Sequence, residues 1–171
     1  MIRDVLIYPD RRLKQTSTDV KNFDSKLHAL LEDMKETMYK NEGIGLAAIQ
    51  IGVAKNVLVI NLANEEGEQS PENLVEVINP VILDAEGSIT YQEGCLSVPT
   101  VYEDVTRKES IRVRYFNRDG EMIEKDLEGL MAIAFQHELD HLQGHLFIEK
   151  LSYLKRKKFE KEWKKKLKEG K

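Results

Sequence analysis

The sequence predicts an α+β fold, because helical and β-rich patterns occupy separate stretches of the chain. One helical pattern comes first, several short β-rich runs fill the middle, and two helical patterns follow them. The chain has 171 residues, 41% of them hydrophobic, with only 10 glycines and 4 prolines, which is the composition of a globular domain with a substantial core. We therefore expect residues 1–171 to form a single domain.

The first helix is predicted around residues 27–38, where apolar residues recur at intervals of three and four. Asp24 or Ser25 is a suitable N-terminal cap, and Gly43 lies beyond the end of the pattern. His28 falls within the first turns of this helix. We assign it a structural or solvated role, because no other residue of a metal-binding type stands one turn away.

Five β-rich runs are predicted to be strands: Val57–Asn61, Val75–Leu83, Ser88–Gln92, Ile111–Phe116 and Met122–Leu127. Asp119-Gly120 is a strong hairpin signal between the last two, so we expect antiparallel pairing there. The polar segment Asn64–Asn73 is predicted to be an exposed loop.

The helical period returns from Glu128 to about Gln143, with Gly144 as the predicted stop. A last helix is predicted over Ser152–Lys168, with an apolar stripe of Phe159, Trp163 and Leu167 that packs on the rest of the domain.

Charge is distributed unevenly along the chain. The net charge is −4, but residues 150–171 carry +8 and leave −12 for the remainder. Such a concentrated basic surface suits the phosphates of RNA.

The composition also excludes some classes of protein. Arg3 and Asp4 interrupt the apolar start of the chain, and no run of about 18 apolar residues follows. We expect a cytoplasmic protein with neither a membrane nor DNA as a partner. The single cysteine, Cys95, cannot form an internal disulfide, so it is either a small buried hydrophobe or a thiolate with a chemical role.

The strongest chemical motif lies inside the predicted helix that ends at Gly144. Residues 136–141, QHELDH, contain the pattern HExxH. Because residues four apart share one face of a helix, His137 and His141 can bind the same metal ion. Glu138 then stands where it can accept a proton from water, as in metal-assisted hydrolysis. The motif favours a metallohydrolase.

A catalytic site of this kind needs a third protein ligand. Metzincin-type proteases have a third histidine at the position that Phe147 occupies here, and His145 lies two residues too early, so we expect His145 on the surface. Thermolysin-type proteases use a glutamate about twenty residues downstream, near Glu160 and Glu162. Those two lie among lysines of the basic helix, where surface ion pairs explain them more simply.

Cys95 is the remaining candidate for the third ligand. It lies in the segment EGCLS, residues 93–97, after a predicted strand and before Pro99. Gly94 permits the backbone to approach a ligand closely, so a thiolate and a neighbouring amide can face the same site. An HExxH zinc endopeptidase stays the alternative interpretation at this point.

Three segments together resemble the signature motifs of peptide deformylases. They are GIGLAAIQ at residues 43–50, EGCLS at 93–97 and QHELDHLQG at 136–144. They occur in the order and at the spacing of that family, and the resemblance extends from the N-terminus through the last helix. It implies a fold in which antiparallel sheets pack around the HExxH helix. It also implies removal of the formyl group from the N-terminal formylmethionine of nascent polypeptides, with release of formate.

The resemblance implies a role for each site residue. The metal ligands correspond to Cys95, His137 and His141. Glu138 would be the general acid and base. The side-chain amide of Gln50 and the backbone N–H of Leu96 would hold the formyl oxygen.

One divalent metal ion is expected as the cofactor. Two imidazoles and a thiolate suit Zn²⁺, Fe²⁺, Co²⁺ or Ni²⁺. The resemblance implies Fe²⁺ in the cell, with the other ions possible in purified protein.

The substrate is expected to bind beside the HExxH helix. Residues Gly43, Ile44 and Gly45 can run close to a ligand, and an apolar pocket for a methionine side chain would be walled by Leu130, Ile133 and Ala134. Leu130 and Ile133 can also be ordinary core residues. Bacterial deformylases of similar form carry a C-terminal helix that docks on the ribosome, so the resemblance implies that residues 150–171 bind ribosomal RNA.

Overall fold

The computed structural model describes residues 1–169 and has the α+β architecture that the sequence predicts. Its α-helices are α1 (Ser25–Lys40), α2 (Gly129–Leu142) and α3 (Tyr153–Lys168). Its strands are β1 (Gly45–Ala47), β2 (Val57–Ile60), β3 (Val75–Glu86), β4 (Ile89–Cys95), β5 (Val98–Arg107), β6 (Ser110–Phe116) and β7 (Met122–Glu128). None of the helices formed by residues 1–169 has the length and apolar character that crossing a bilayer requires.

The strands form two sheets. One contains five strands in the order β1-β2-β3-β6-β7, and the other is the pair β4-β5; neighbouring strands are antiparallel throughout. Helix α2 packs on the larger sheet. It contacts β1 and β2 at one edge of that sheet and β6 and β7 at the other. The HExxH helix therefore lies among antiparallel sheets, which confirms the predicted fold class.

Helix α1 follows its sequence prediction closely. Of the two candidate caps, the side chain of Asp24 accepts a hydrogen bond from the Leu27 N–H at 3.1 Å. The ring of His28 contacts the carbonyl oxygen of Arg118 at 3.0 Å, in agreement with a structural role. The buried face of α1 consists largely of the predicted apolar residues Leu27, Leu31, Met34 and Met38.

Two of the strands, β1 and β5, were not predicted from the sequence. Strand β1 has only three residues, too few to show a period. Strand β5 contains Pro99, Glu103 and Asp104, which are uncommon in strands, and it is held by antiparallel pairing with β4. The Asp119-Gly120 hairpin joins β6 to β7 as predicted, and Gly120 has a φ of 79°.

Helix α2 ends in a Schellman motif at the predicted glycine. The Gly144 N–H donates to the carbonyl of His141 at 3.0 Å, and the His145 N–H donates to the carbonyl of Asp140 at 2.8 Å. Gly144 has a φ of 84°, and a Cβ at this position would collide with the backbone carbonyl of Lys14. Both the turn and the close approach of the N-terminal segment therefore require glycine here.

Helix α3 is anchored by one face. Phe159 and Trp163 are buried in a cluster with Val98 and Phe147, and the Trp163 indole N–H donates to the carbonyl of Tyr8 at 3.0 Å. The predicted apolar stripe is wrong at its last member, since Leu167 is exposed. It lies in the last turn of the helix, after the aromatic contacts have ended. Most of the lysines of α3 are exposed on its remaining faces.

We predict that Gly144→Ala destabilises the protein more than Gly67→Ala. Both glycines have positive φ, which costs an alanine about 1–2 kcal/mol. Only Gly144 also has backbone atoms in the space that a Cβ needs, whereas nothing lies within 4 Å of that position at Gly67. Urea unfolding of the two variants at equal metal content measures the difference. Equal transition midpoints would show that the contact with Lys14 does not constrain the chain.

Candidate metal centre

Three potential ligand atoms converge at the junction of helix α2 and the β4-β5 turn. The Cys95 Sγ lies 3.3 Å from the His141 Nε2, which lies 3.3 Å from the His137 Nε2. All three atoms lie within 4.8 Å of one another. Ligands of a tetrahedral metal with bonds of about 2.0–2.3 Å are separated by about 3.3–3.8 Å, so this donor set fits a divalent transition metal.

The orientation of His137 is set by Glu93. The Nδ1 atom of His137 lies 2.9 Å from the Glu93 Oε1, and both side chains are buried. In the neutral ring, donation of the Nδ1 proton to this carboxylate leaves the lone pair of Nε2 directed at Cys95 and His141. A carboxylate behind a ligating histidine commonly fixes the ring in this way.

Glu93 is in turn held by Arg107. The guanidinium donates to both carboxylate oxygens of Glu93, at 2.6 and 2.9 Å, and to Asp140 at 2.8 Å. Burial alone would raise the pKa of Glu93, but the hydrogen bonds from His137 and Arg107 outweigh it and hold the pKa below its ordinary value. Glu93 therefore stays a carboxylate although it is buried.

The two histidines differ electrostatically. Burial lowers the pKa of His137, but its hydrogen bonds with Cys95 and Glu93 outweigh burial and raise the pKa well above its ordinary value. The same negative surroundings favour a metal cation. Burial lowers the pKa of His141, which keeps this ring in the neutral form that can ligate a metal.

Glu138 lies beside these ligands on the inner side of α2. It is 5% exposed, and burial raises its pKa to about 7. The carboxylate is pressed against Gly45, where a Cβ would come within 2.5 Å of the Glu138 Oε2. Its other oxygen has no hydrogen-bond partner among residues 1–169. This carboxyl group can exchange a proton near neutral pH.

The amide of Gln50 faces the same centre. Its Oε1 accepts from the Ala47 N–H at 2.9 Å, while its Nε2 lies 3.1 Å from the Ser97 Oγ and 3.6 Å from the Cys95 Sγ. Leu96 follows Cys95 in the turn between β4 and β5. The NH₂ group of Gln50 is thus oriented toward Cys95 by partners on both sides.

The N-terminal segment joins these two parts of the centre. The Leu6 N–H donates to the carbonyl of Gln50 at 2.7 Å, and the Tyr8 N–H donates to the carbonyl of Ser97 at 2.8 Å. The segments that carry Gln50 and Cys95 are therefore tied together by backbone hydrogen bonds as well as by the Gln50 side chain.

The residues predicted to bind substrate differ in their burial and packing. Gly43 packs under the Leu96 side chain, which a Cβ would approach to 2.7 Å, and Ile44 is exposed. On α2, Ile133 is buried and Leu130 is half-buried. Ala134 belongs to the apolar cluster between α2 and the large sheet, a packing role that needs no ligand.

The residues that the sequence analysis rejected as a third metal ligand lie outside the cluster of potential ligands. His145 is exposed and contacts Glu149 at 3.1 Å, as expected for a surface residue. Glu160 and Glu162 are exposed on α3 and are not members of the ligand cluster found among residues 1–169.

Sequence reasoning missed the supporting residues. Glu93 stands in the EGCLS motif, and its position beside Cys95 was a usable signal. Asp140 lies inside the HExxH motif, next to His141, but Arg107 gave no signal, because it reaches the centre only through the pairing of β5 with β4.

Comparisons with known proteins agree with this arrangement. The family model described as polypeptide deformylase matches residues 2–157. A peptide deformylase of Nautilia profundicola is 52% identical over 168 residues, which cover 98% of this chain and 97% of that protein.

Solved structures give the same result. The peptide deformylase of Legionella pneumophila has a TM-score of 0.89 and 39% identity, with 100% of this chain and 99% of that chain covered. A class I type b peptide deformylase of Acinetobacter baumannii with Met-Ala-Ser bound has a TM-score of 0.82 and 34% identity, over 88% and 99% of the two chains. Sequence and structure agree over nearly the whole length, and the chain belongs to the polypeptide deformylase family.

Proposed function

We propose that the chain hydrolyses the N-formyl group of N-formylmethionyl peptides and releases formate and a free N-terminal methionine. The observation that carries this proposal is the buried cluster of Cys95, His137 and His141 beside the carboxyl group of Glu138. An HExxH zinc endopeptidase is not favoured, because relatives that match almost the entire chain are peptide deformylases.

The three clustered side chains would hold one divalent metal ion. Such an ion acts as a Lewis acid that polarises the formyl carbonyl and acidifies water near neutral pH. A thiolate and two imidazoles suit several transition metals. We expect Fe²⁺ in the cell and allow Zn²⁺, Ni²⁺ or Co²⁺ in purified protein.

Glu138 would move the proton in both halves of the reaction. It accepts a proton from the attacking water as the water oxygen bonds to the formyl carbon. It then donates that proton to the amide nitrogen as the C–N bond breaks. A pKa of about 7 supports this double role, because an efficient acid and base has a pKa near the working pH.

Gln50 and Leu96 would stabilise the oxyanion. We assign the side-chain NH₂ of Gln50 and the backbone N–H of Leu96 as donors to the formyl oxygen, where negative charge develops. The contacts of the Gln50 amide with Ala47 and Ser97 support this role, because they orient the donor before substrate binds. A preorganised donor of this kind is worth about 3–4 kcal/mol in the transition state.

The peptide would bind along residues Gly43–Gly45. Strand β1 is at the edge of the five-stranded sheet, and an edge strand can pair with an extended peptide. We assign the methionine side chain to an apolar wall formed by Leu130, Ile133 and Ala134. The bound Met-Ala-Ser in the Acinetobacter baumannii relative supports a substrate that begins with methionine.

We also propose that the basic helix docks on the ribosome in the cytoplasm. Most lysines of α3 are exposed, whereas Phe159 and Trp163 bind the helix to the body of the protein. A positive surface of this kind suits the phosphates of ribosomal RNA. Because both aromatics are buried, removal of the helix would damage the apolar cluster, so charge substitution is the better test.

Glu138→Gln is expected to lower the rate of formate release from formyl-Met-Ala-Ser by at least about 100-fold, because an amide cannot shuttle a proton. Metal content should stay at the wild-type level, since the three ligands are unchanged. Glu160→Gln and Glu162→Gln serve as matched controls and should retain full activity. A normal rate in Glu138→Gln would remove its assigned role.

Cys95→Ser is expected to weaken metal retention or to leave a poorer catalyst, because a serine hydroxyl is a harder and far less acidic ligand than a thiol. Elemental analysis after anaerobic purification, combined with formate release, measures both effects. Full metal content together with full activity would mean that Cys95 is only a packing residue.

Replacement of Lys161, Lys164 and Lys168 by glutamate is expected to abolish salt-sensitive co-sedimentation with ribosomes, while hydrolysis of formyl-Met-Ala-Ser continues. All three lysines are exposed on α3, whereas its buried residues are Phe159 and Trp163. The matched control replaces Lys21, Lys26 and Lys40, which are also exposed, and changes the net charge equally. Equal loss in both triple variants would indicate a general charge effect rather than docking by α3.

A further inference from the structure

A single side chain ties the polar loop between β2 and β3 to the segment proposed to bind the peptide. The Nε2 of Gln69 donates to the carbonyl of Gly43 at 2.9 Å and to the carbonyl of Asn61 at 2.7 Å. Both hydrogens of the amide are therefore used, and the side chain links the start of the loop to residues that precede β1. Gln69 is half-buried, although residues 63–68 of the same loop are exposed.

The carbonyl that Gln69 holds belongs to a segment with little freedom of position. The Cα of Gly43 lies under the Leu96 side chain, and the Cα of Gly45 lies against the carboxylate of Glu138. At these two positions a Cβ would lie 2.7 and 2.5 Å from those side chains. A displacement of the segment would therefore change its distance from Glu138 and from the residue that follows Cys95.

Other backbone contacts also restrain this segment, including the pairing of Gly45 with Ile60 of β2. Its backbone is held by hydrogen bonds from the Gly43 N–H to the Met38 carbonyl and from the Asn61 N–H to the Ile44 carbonyl, at 2.9 and 2.8 Å. Glu42, directly before it, has a φ of 58°, and the outer side of β1 is the edge of the sheet. The Gln69 amide is thus one of several anchors for a glycine-containing stretch of backbone, and it is the side-chain donor that holds the Gly43 carbonyl.

Hydrogen bonds at the base of the loop hold the Gln69 amide in position. Asn61 is fully buried, and its Nδ2 donates to the Tyr39 hydroxyl at 2.8 Å and to the Ser70 carbonyl at 2.9 Å. The residue next to Gln69 is therefore fixed to the end of β2. At the tip of the loop, the Asn64 side chain accepts from the N–H groups of Glu66 and Glu68, which closes the exposed turn on itself.

We propose that Gln69 is a positioning residue that sets the peptide-binding segment Gly43–Gly45 at its working distance from the metal centre. This inference rests on the proposed function and adds a residue from the polar loop to it. Gln69 acts through the Gly43 carbonyl and does not touch the reacting atoms, so its loss affects peptide binding more than proton transfer.

The test compares Gln69→Ala and Gln69→Glu with the wild-type enzyme in formate release from formyl-Met-Ala-Ser. Loss of two hydrogen bonds in Gln69→Ala should raise KM by about tenfold and leave kcat within about twofold. Gln69→Glu has nearly the same shape but brings an acceptor toward two carbonyl oxygens, so its KM should rise further. Gln92→Ala, at an exposed position of β4, is the matched control and should keep wild-type constants.

The two kinetic constants separate positioning from simple loss of structure. A partly unfolded enzyme has fewer active molecules, which lowers kcat at an unchanged KM. That pattern, or a wild-type KM in both Gln69 variants, overturns the inference. If the wild-type enzyme itself releases no formate while it carries its metal, the proposed function is wrong and the positioning role is rejected with it.

Discussion

The buried ion pair between Arg107 and Glu93 is the interaction on which the rest of this structure depends. The two charged side chains are only 3% and 4% exposed, so neither could be buried without the other. Through Asp140 and His137 the pair also joins the small sheet to helix α2. A buried pair of this kind contributes less to stability than to geometry, because desolvation offsets much of its attraction. Here the pair orients the imidazole of His137 and holds β4 against α2.

Helix α2 combines the core and the reaction centre. Ala132, Phe135 and Leu142 pack into the apolar cluster on the large sheet, while His141 contacts Cys95 at the β4-β5 turn. Glu138 is buried in this helix, and exclusion of water from its carboxyl group raises its pKa. Glycines at positions 43 and 45 then let neighbouring backbone approach the centre more closely than any other residue would.

The N-terminal segment and helix α3 pack against the residues that carry the centre. The N-terminal segment bonds to the backbone of Gln50 and Ser97, and its Tyr8 carbonyl accepts from Trp163 of α3. Phe147, in the cluster that buries Trp163, also lies against the His137 ring, with 6.0 Å between ring centres. The basic helix is therefore part of the apolar packing behind the His137 ring, while its lysines are exposed.

The sequence by itself determined the helices, five of the seven strands and the two histidines of the cluster. Each of these has a local cause: a 3.6-residue period, a turn signal such as Asp119-Gly120, or an HExxH spacing that unites His137 with His141. The resemblance to deformylases added Cys95, Gln50 and Leu96, which no local period connects to the helix.

Only the tertiary structure decided which residues support the centre. Arg107 and Gln69 have no periodic or motif signal, because each acts by reaching a backbone or side chain that is distant in sequence. Strand β5 exists through its pairing with β4, against the preferences of Pro99 and its acidic residues. Local patterns report the energy of short segments, whereas these contacts form only when separate segments pack together, and that packing is a property of the whole chain.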